Sequence, residues 1–512
     1  MSRINTNVGS LLAQRVLGQN QFNLRNSLER LSTGLKINRG KDDPAGLIAS
    51  ENLRSELKSI NSAVDNANRA DQVVNIAEGG LQEVSGLLTD LQGLVTASAS
   101  KAGLSSSEKA ANQLQIDSIL QTIDRISSAT SFQGQKLLNG SYDYKVSSVA
   151  SGISDYRING AKFNGATQGV SVLVTQSAQQ GGLYLSFGGT ALDLGAANST
   201  FTIEIAGSLG SRELTFSSGA TLSDVQAAIH SFAEITGVDA SVVNSGSSQG
   251  IKLNSTKFGS TEFASVKVIN SGGISTTNLG LYDFTSADFN AVNTTRVSDF
   301  TSGGALAGYQ DKGLDIGATI NGIVATATGK TARINTDALD VQITLDTSTS
   351  QTLGSVGGTN GALTITGGGA DFQLAGKVDI QGKVSLGIGD IAVRKLGDST
   401  SGFLNSLASG NANSIATATN LSAAQDVVAK AIDQISTLRG RLGAFQKNTV
   451  GATIRSLGIA AENTAAAEST IRDADFATET SSLTRNQILV SASTNVLALA
   501  NSSPQSVLQL LG

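Results

Sequence analysis

Very few side chains in this sequence have the types and spacing that catalysis or metal binding requires. His230 is the only histidine, and there is no cysteine among the 512 residues. A zinc site, or a nucleophile paired with a general base, draws on several such groups close together. We therefore expect His230 to be a solvated residue of a short helix. The sequence predicts no enzymatic activity, no metal site and no cofactor.

Two groups of acidic residues are the remaining candidates for calcium binding or acid–base chemistry. Their spacing lacks the regular series of oxygen ligands that a calcium-binding loop needs. Carboxylates in such positions more often close turns, cap helices or pair with arginines, here Arg39 or Arg472. We predict these structural roles for Asp42, Asp43, Asp473 and Asp475.

The overall charge and the absence of long apolar runs argue against several kinds of partner. The formal net charge is −5, which offers no attraction to nucleic acid or to an anionic membrane. The apolar stretch 488–500 is short and contains several hydroxyl and amide side chains, so we expect no membrane insertion. Residues 1–10 lack the apolar core of a cleaved signal peptide, so export would need another route.

Two distant segments have apolar residues at the same spacing. Apolar residues recur every three or four positions from 53 to 95 and again from 421 to 445. A period near 3.5 keeps the apolar stripe of one helix facing a partner helix. We predict that the two segments pack in one bundle, and a further helix is predicted over 108–129. The predicted seam of this bundle comprises Leu57, Ile60, Val64, Leu81, Leu88, Leu91, Val428, Ile435, Leu438 and Leu442.

Further helices are predicted at the two ends, over 4–35 and 480–499. A charged segment with Gly and Pro at 38–46 separates the first helix from the long one, and we predict a break near 456–461. Little else in the chain is available to cover the terminal stripes, so we expect weak order in the monomer and burial between copies. The predicted assembly residues are Leu17, Leu24, Leu28, Leu31, Leu35, Val490, Val496, Leu499, Leu508 and Leu511.

The middle of the chain has a different composition. Residues 141–400 contain 38 of the 57 glycines, and glycine suits turns better than helices. Thr221 or Ser223, as an N-cap, predicts one short helix. Glycine runs without a following lysine and helix predict turns. Alternating apolar residues predict strands at 201–205, 212–216, 251–253, 266–269 and 341–345.

These patterns predict an α+β multidomain fold. Both termini form a discontinuous α-helical coiled-coil bundle, because their apolar periods match. A mostly antiparallel, β-rich outer region is inserted between them.

Several longer motifs lie near the two ends of the chain. They are INTN at 4–7, LERLSTGLKIN at 28–38, DDPAG at 42–46, IRDADFATE at 471–479 and PQSVL at 504–508. In these motifs both ends resemble bacterial flagellin, the subunit of the flagellar filament, and together the matching ends cover roughly half of the chain. Residues 221–269 also resemble a small α+β module that recurs in flagellar filament, cap and junction proteins.

The resemblance implies a structural subunit that self-assembles into an extracellular filament for swimming motility. It also implies export in an unfolded state by the flagellar type III system. The implied domains are an innermost helical domain (1–43 with 472–512), an inner-shell helical bundle with a β-hairpin (44–185 with 378–471) and a surface-exposed, β-rich outer region (186–377).

The resemblance further implies partners beyond other copies of the chain. These are the flagellar cap and junction proteins, and a cytoplasmic export chaperone that holds the C-terminal segment, about 483–511. In many flagellins the animal Toll-like flagellin receptor binds an arginine-bearing patch on the long helix. The matching positions here are Asp90 and Gln92, which are not basic. We therefore expect weak recognition by this innate immune receptor.

Two alternatives of different kinds remain open at this point. A hook–filament junction protein would share the terminal helices in weaker form. A surface adhesin would bind glycans or a host protein through the outer region, within about residues 190–370.

Overall fold

The computed structural model describes residues 6–100, 103–162, 165–196, 198–245, 248–274, 279–284, 292–358, 361–399, 401–417 and 421–509. The chain divides into two compact units. The terminal unit contains Met1–Val74, Phe372–Lys383 and Leu442–Gly512, and the central unit contains Asn75–Asp371 and Val384–Arg441. The predicted three-domain boundaries remain a prediction.

The helices lie mainly towards the two ends of the chain, as their apolar periods predict. Short helices α4 to α7 lie in the glycine-rich middle. In chain order the helices are α1 (Val8–Thr33), α2 (Pro44–Ser98), α3 (Ser106–Ala129), α4 (Leu222–Ser231), α5 (Ala233–Thr236), α6 (Gly303–Ala307), α7 (Thr347–Gln351), α8 (Ser422–Ala444), α9 (Gly451–Arg472) and α10 (Phe476–Gln509).

Local signals set the boundaries of the first helix. The side chain of Asn7 accepts a hydrogen bond from the backbone N–H of Ser10 at 3.0 Å, which satisfies one of the free donors at the start of α1. Gly34 follows the helix with a φ of 73°, and its N–H donates to the Arg30 carbonyl. Glycine is favoured there because a Cβ atom strains this left-handed backbone.

The predicted break at 456–461 is wrong. Helix α9 is continuous from Gly451 to Arg472, and the irregularity lies earlier, in a π-helical turn at Phe445–Val450. A π-helical turn holds one more residue than an α-helical turn. Here it allows both Phe445 and Val450 to be buried. Gly458 leaves the helix intact because glycine only weakens an α-helix, whereas proline breaks it.

Most of the strands lie in the glycine-rich middle, as predicted. They are β1 (Ser131–Phe132), β2 (Gln135–Lys136), β3 (Lys145–Ser147), β4 (Ile153–Ala161), β5 (Gln168–Val170), β6 (Val172–Gln176), β7 (Gly182–Ser186), β8 (Thr200–Gly207), β9 (Ser211–Ser217), β10 (Val238–Ser245), β11 (Ser248–Ser255), β12 (Phe263–Asn270), β13 (Gly280–Phe284), β14 (Val292–Ser298), β15 (Tyr309–Lys312), β16 (Gly317–Ile320), β17 (Ile323–Val324), β18 (Thr326–Thr328), β19 (Thr331–Asn335), β20 (Leu339–Leu345), β21 (Gly354–Val356), β22 (Leu363–Gly367), β23 (Ala370–Gln373), β24 (Lys383–Leu386), β25 (Gly397–Asp398) and β26 (Gly402–Phe403).

The strands of the central unit form several antiparallel sheets around two cores. A five-stranded sheet has the order β10-β11-β7-β13-β14, and four-stranded sheets have the orders β15-β12-β8-β9, β17-β16-β6-β21 and β18-β19-β20-β4. One core contains the packed rings of Phe187, Phe201 and Phe300. The other contains Val341 and Ile343 of β20. The predicted α+β class with a mostly antiparallel insertion is confirmed.

The predicted short helix is α4. Thr221 accepts a hydrogen bond from the N–H of Asp224, and the Asp224 carboxylate accepts one from the N–H of Thr221. This reciprocal capping box fixes the start of the helix. Its apolar face then buries Leu222, Val225 and Ile229 in the first core.

Candidate assembly surface

Helices α1 and α10 run antiparallel in the terminal unit, and several polar side chains join them. The Asn20 amide donates to Ser493 Oγ at 2.7 Å, and the Asn486 amide donates to Ser27 Oγ at 3.1 Å. Ser10 Oγ donates to Asn501 Oδ1 at 2.7 Å near one end of the pair. Paired polar groups of this kind select one register between two helices, because any slip leaves them unsatisfied.

The polar contacts belong to one stripe on each helix. On both helices its positions follow the alternating three- and four-residue spacing of a coiled coil. Every residue of the stripe is buried or half-buried, and small or polar side chains alternate with larger apolar ones. The stripe comprises Ser10, Ala13, Leu17, Asn20, Leu24, Ser27 and Leu31 on α1, and Glu479, Leu483, Asn486, Val490, Ser493, Leu497 and Ala500 on α10.

The other faces of these helices carry large apolar side chains that are exposed. Leu499 is 71% exposed and Val496 is 56% exposed. Single exposed apolar residues are ordinary on protein surfaces, whereas a large contiguous exposed patch marks an interaction site. We use the name exposed apolar face for the whole exposed set, which is spread over both helices outside the shared stripe. It comprises Val8, Leu11, Leu12, Val16, Phe22, Leu28, Phe476, Ile488, Leu489, Val496 and Leu499.

The structure thus divides the predicted assembly residues into two sets. Leu17, Leu24, Leu31 and Val490 lie in the stripe shared by α1 and α10. Leu35 is half-buried just beyond α1, whereas Leu28, Val496 and Leu499 belong to the exposed apolar face. Leu511 and the side chain of Leu508 lie outside the described residues.

A short backbone bridge closes the α1/α10 pair at its other end. The N–H of Lys36 donates to the Arg472 carbonyl at 2.7 Å, and the N–H of Ala474 donates to the Gly34 carbonyl at 2.9 Å. Leu35 and Asp473 face each other in this antiparallel bridge. The sequence motifs at 28–38 and 471–479 therefore meet in space.

Eight of the ten predicted seam residues are buried. In the central unit, Leu81, Leu88, Leu91, Val428, Ile435 and Leu438 are all buried, and Arg439 Nε lies 2.8 Å from Glu78 Oε1, joining α8 to α2. In the terminal unit, Ile60 and Leu442 are buried and Leu57 and Val64 are half-buried. These side chains are already covered within one chain.

The candidate carboxylates have structural roles. Backbone hydrogen bonds from Arg39 and Asn38 lower the pKa of Asp42, which closes the turn before α2. The Thr478 hydroxyl and the first N–H groups of α10 lower the pKa of Asp475, which caps that helix.

The arginines that we expected beside these carboxylates have other acidic partners. Arg39 pairs with Glu29 at 2.8 Å, and Arg472 pairs with Glu51 at 3.0 Å. The two glutamates lie on the helices that flank the turn, within reach of the long arginine side chains.

His230 is exposed at the end of α4, as predicted, and its Nδ1 lies 2.8 Å from Asp239 Oδ1. This hydrogen bond raises the pKa of His230.

Across the described ranges, no group of three or more His, Cys, Asp or Glu side chains is placed to hold a metal ion. Among the helices described, none is both long and apolar enough to cross a membrane.

The receptor-patch positions lie on α2. Asp90 is exposed and Gln92 is half-buried. Their side chains present no positive charge at the place where the resemblance implies an arginine pair.

Sequence reasoning missed several buried amides. Gln113 of α3 donates to the Leu407 carbonyl and accepts from Ser414 and Ile415, so it joins α3 to residues 404–415. It also missed Asn20 and Asn486 in the terminal pair. The available signal was their spacing, because these polar residues recur at the coiled-coil period between leucines.

The termini and part of the middle match known families. The sequence matches the family model of the bacterial flagellin N-terminal helical region over residues 4–143 and that of the C-terminal helical region over residues 425–511. It matches the flagellin hook IN motif over residues 200–257, which overlaps the module predicted at 221–269. The flagellin of Salmonella rubislaw is 31% identical over 527 residues, with 99% of each chain covered.

The chain belongs to the flagellin family. The B-type flagellin of Pseudomonas aeruginosa is 30% identical over 552 residues, again with 99% of each chain covered. The flagellar cap protein FliD from Escherichia coli, domains D1-D2-D3, aligns over 49% of this chain and 63% of that one, with 17% identity and a TM-score of 0.27. That score is too low to indicate a shared overall fold.

This flagellin is a structural subunit of the bacterial flagellar filament, the extracellular polymer used for motility. The prediction from the terminal motifs is confirmed by relatives that match over nearly the whole chain. These relatives do not favour the junction-protein or adhesin alternatives.

Proposed function

We propose that the exposed apolar face of α1 and α10 is the surface through which one copy of this flagellin packs against others in the filament. The proposal rests on which side chains of these helices are covered within one chain and which are exposed. Small and polar residues alternate with larger apolar ones in their shared stripe, while large residues outside it, such as Leu11, Ile488 and Leu499, are left in water. Filament formation brings many copies of the same chain together, so another copy can cover these side chains.

The energetics support assembly coupled to ordering. Burying a large aliphatic side chain contributes about 1.5–3 kcal/mol, which offsets the ordering cost of about one residue. Each hydrogen bond across the stripe contributes less, since it adds only about 1 kcal/mol net. The terminal pair therefore gains further stability with each exposed apolar side chain that neighbouring copies cover. Repetition of one non-closing contact gives an open helical polymer.

We also propose that the contacts which the terminal helices make between copies have two nearly equivalent registers, which supports supercoil switching of the filament. The domain arrangement proposed from the family resemblance assigns residues 1–43 with 472–512 to the filament interior, 44–185 with 378–471 to an inner shell, and 186–377 to the surface. No catalytic role is proposed for any residue.

The proposed partners outside the filament are the flagellar cap and junction proteins and a cytoplasmic chaperone for about residues 483–511. Delivery through the flagellar type III system, in an unfolded state, is compatible with the absence of cysteine, since no disulfide has to form. A chaperone on the C-terminal segment would cover Ile488, Val496 and Leu499 before assembly.

Weak activation of the Toll-like flagellin receptor is proposed from Asp90 and Gln92. A carboxylate at one of these positions opposes any acidic partner that an arginine would pair with. A cell reporter assay should show a weak response to purified monomer, and an Asp90→Arg/Gln92→Arg double variant should strengthen it. An equally strong response from the unmodified chain and an arginine-bearing flagellin would contradict the proposal.

The assembly proposal is tested by seeded polymerisation and electron microscopy. The full chain should form long filaments, whereas a version without residues 1–35 and 483–512 should form none. A second comparison uses a full-length chain with Leu11, Ile488 and Leu499 changed to serine. If that variant polymerised at the same critical concentration as the unchanged chain, the exposed apolar face would not be the assembly surface.

A further inference from the structure

The sequence contains five Asn-Gly pairs, at 139–140, 159–160, 164–165, 321–322 and 360–361. An asparagine before glycine is prone to lose ammonia, because the glycine nitrogen attacks the side-chain carbonyl carbon and no Cβ atom hinders the approach. Both residues are described in the structure for three of the pairs, those that begin with Asn139, Asn159 and Asn321. The side chains of these three asparagines are held in different ways.

Asn139 is exposed, and the residue after its glycine holds its side chain. Asn139 Oδ1 accepts hydrogen bonds from the Ser141 N–H at 3.1 Å and from the Ser141 hydroxyl at 2.7 Å. The first of these bonds closes a small ring that contains the Gly140 nitrogen, so Cγ of Asn139 stays beside the atom that attacks it. Both donors also point at the oxygen that gains negative charge during the attack.

The other two asparagines are bound to residues distant in the chain. Asn321 Oδ1 accepts from the Ser171 N–H at 2.8 Å, and the Asn321 amide donates to the Gly169 carbonyl at 3.3 Å. Asn159 lies within β4, and its amide donates to Asp340 of β20 at 3.2 Å. At both positions the attack has to break contacts with another segment first, which slows it.

We propose that Asn139 is a site of spontaneous deamidation in this flagellin. The Gly140 nitrogen forms a bond to Asn139 Cγ while the Cγ–Nδ2 bond breaks, and ammonia leaves with the proton of the Gly140 N–H. Water then opens the cyclic imide at either carbonyl, which gives aspartate or isoaspartate at position 139 without any oxidant or reductant. Because the filament is extracellular, its subunits keep this product as they age.

The modified position lies beside a largely buried carboxylate, that of Asp390. The Cβ atom of Asp390 is 3.2 Å from the point where a Cβ atom would stand at Gly140. Backbone hydrogen bonds of 3.0 and 3.1 Å join the segments 138–142 and 388–391 on either side of Asn139. A new carboxylate is repelled by Asp390, and isoaspartate adds a methylene group to the main chain between these two bonds. Deamidation should therefore loosen the attachment of the two segments.

Mass spectrometry of the folded and the unfolded chain tests the assignment. Purified monomer is aged at mildly basic pH, with and without guanidinium chloride, and its peptides are scored for conversion of amide to acid and for the isoaspartyl isomer. In the folded chain Asn139 should convert within roughly threefold of its unfolded rate. Asn159 and Asn321 should be slowed by roughly tenfold or more, which corresponds to about 1.4 kcal/mol of added barrier. Equal slowing at all three positions, or no conversion at Asn139, would overturn the inference.

A variant separates this modification from other effects of ageing. Asn139→Gln keeps the amide but places it one methylene further from the Gly140 nitrogen, which disfavours the imide. Asn139 is exposed, so the longer side chain should fit, and circular dichroism verifies folding. Amide hydrogen exchange over 388–391 should become roughly fivefold faster in the aged chain and stay unchanged in the aged variant. Equal loss of protection in both aged proteins would overturn the link between Asn139 and this attachment.

Discussion

The two helical regions of this flagellin differ in how far their large apolar residues are buried within one chain. In the central unit, the seam residues Leu81, Leu88 and Val428 are buried within one chain. In the α1/α10 pair, Asn20 and Ser27 alternate with leucines in the shared stripe, and Leu499 lies in water. The two helical regions therefore differ in how completely one chain covers them. The central bundle buries its seam residues within one chain, whereas the terminal pair covers only its shared stripe and leaves other large apolar residues exposed.

The largest expected effect separates the two regions in the monomer. Leu88→Ala should lower the free energy of unfolding by about 2–5 kcal/mol, because it leaves a cavity in a packed core. Leu499→Ala should change it by less than about 0.5 kcal/mol, since that side chain is already solvated. Urea unfolding of both purified monomers, followed by circular dichroism, compares them. Equal losses would show that the two regions do not differ as described.

The order of effects should reverse in the polymer. Leu499→Asp should raise the critical concentration for seeded growth by roughly ten- to a hundredfold, which corresponds to about 1.5–3 kcal/mol of lost burial. Leu114→Asp, at another strongly exposed leucine outside the terminal helices, is the control. Sedimentation of filaments at a series of protein concentrations gives the result. Similar shifts for both variants would mean that added charge, rather than position, inhibits growth.

The hydrogen bonds across the shared stripe predict a smaller effect, which is confined to the terminal pair. Asn20→Ala removes the hydrogen bond to Ser493 and should cost about 1 kcal/mol, so amide hydrogen exchange in α10 should become roughly fivefold faster. Gln19→Ala is a suitable control, because Gln19 is exposed and its side chain donates a hydrogen bond to Asn23 within α1. Unchanged exchange in the Asn20 variant would show that the register does not depend on this contact.

The smallest effect is expected at His230, in the central unit. Its folded-state pKa is raised above 6.5 by Asp239, so its stabilising contribution is present below the unfolded-state pKa and is lost as the pH rises through the folded-state value. Asp239→Asn should bring the pKa back towards its ordinary value. Because His230 is the only histidine, its imidazole resonances can be followed by NMR without assignment. No difference between the two chains would show that the ion pair does not persist in solution.

Much of the helical architecture could be predicted because periodicity records burial directly. The stripes at 53–95 and 421–445 correspond to α2 and α8, and the buried seam residues are those whose spacing matches the coiled-coil period. The short helix α4 was predictable for a different reason, since the capping box at Thr221 is a local signal.

The face of each terminal helix that meets its partner could not be predicted in the same way. Leu24 and Leu28 look equivalent in sequence, yet Leu24 lies in the shared stripe and Leu28 is 47% exposed. The distinction depends on Asn20 and Ser27, whose polar side chains a search for apolar periods ignores. The π-helical turn at Phe445–Val450 was also hidden, because it reflects the burial of two residues in the folded unit rather than a local preference.

The central claim is that the terminal pair is completed by neighbouring copies while the central bundle is complete within one chain. Hydrogen exchange with mass spectrometry, on monomer and filament of the same preparation, tests it most directly. Amides of α1 and α10 should exchange roughly a hundredfold more slowly in the filament, because assembly adds several kcal/mol to local stability there, and those of α3 and α8 should be almost unchanged. Equal protection of α1 and α10 in monomer and filament would contradict the account.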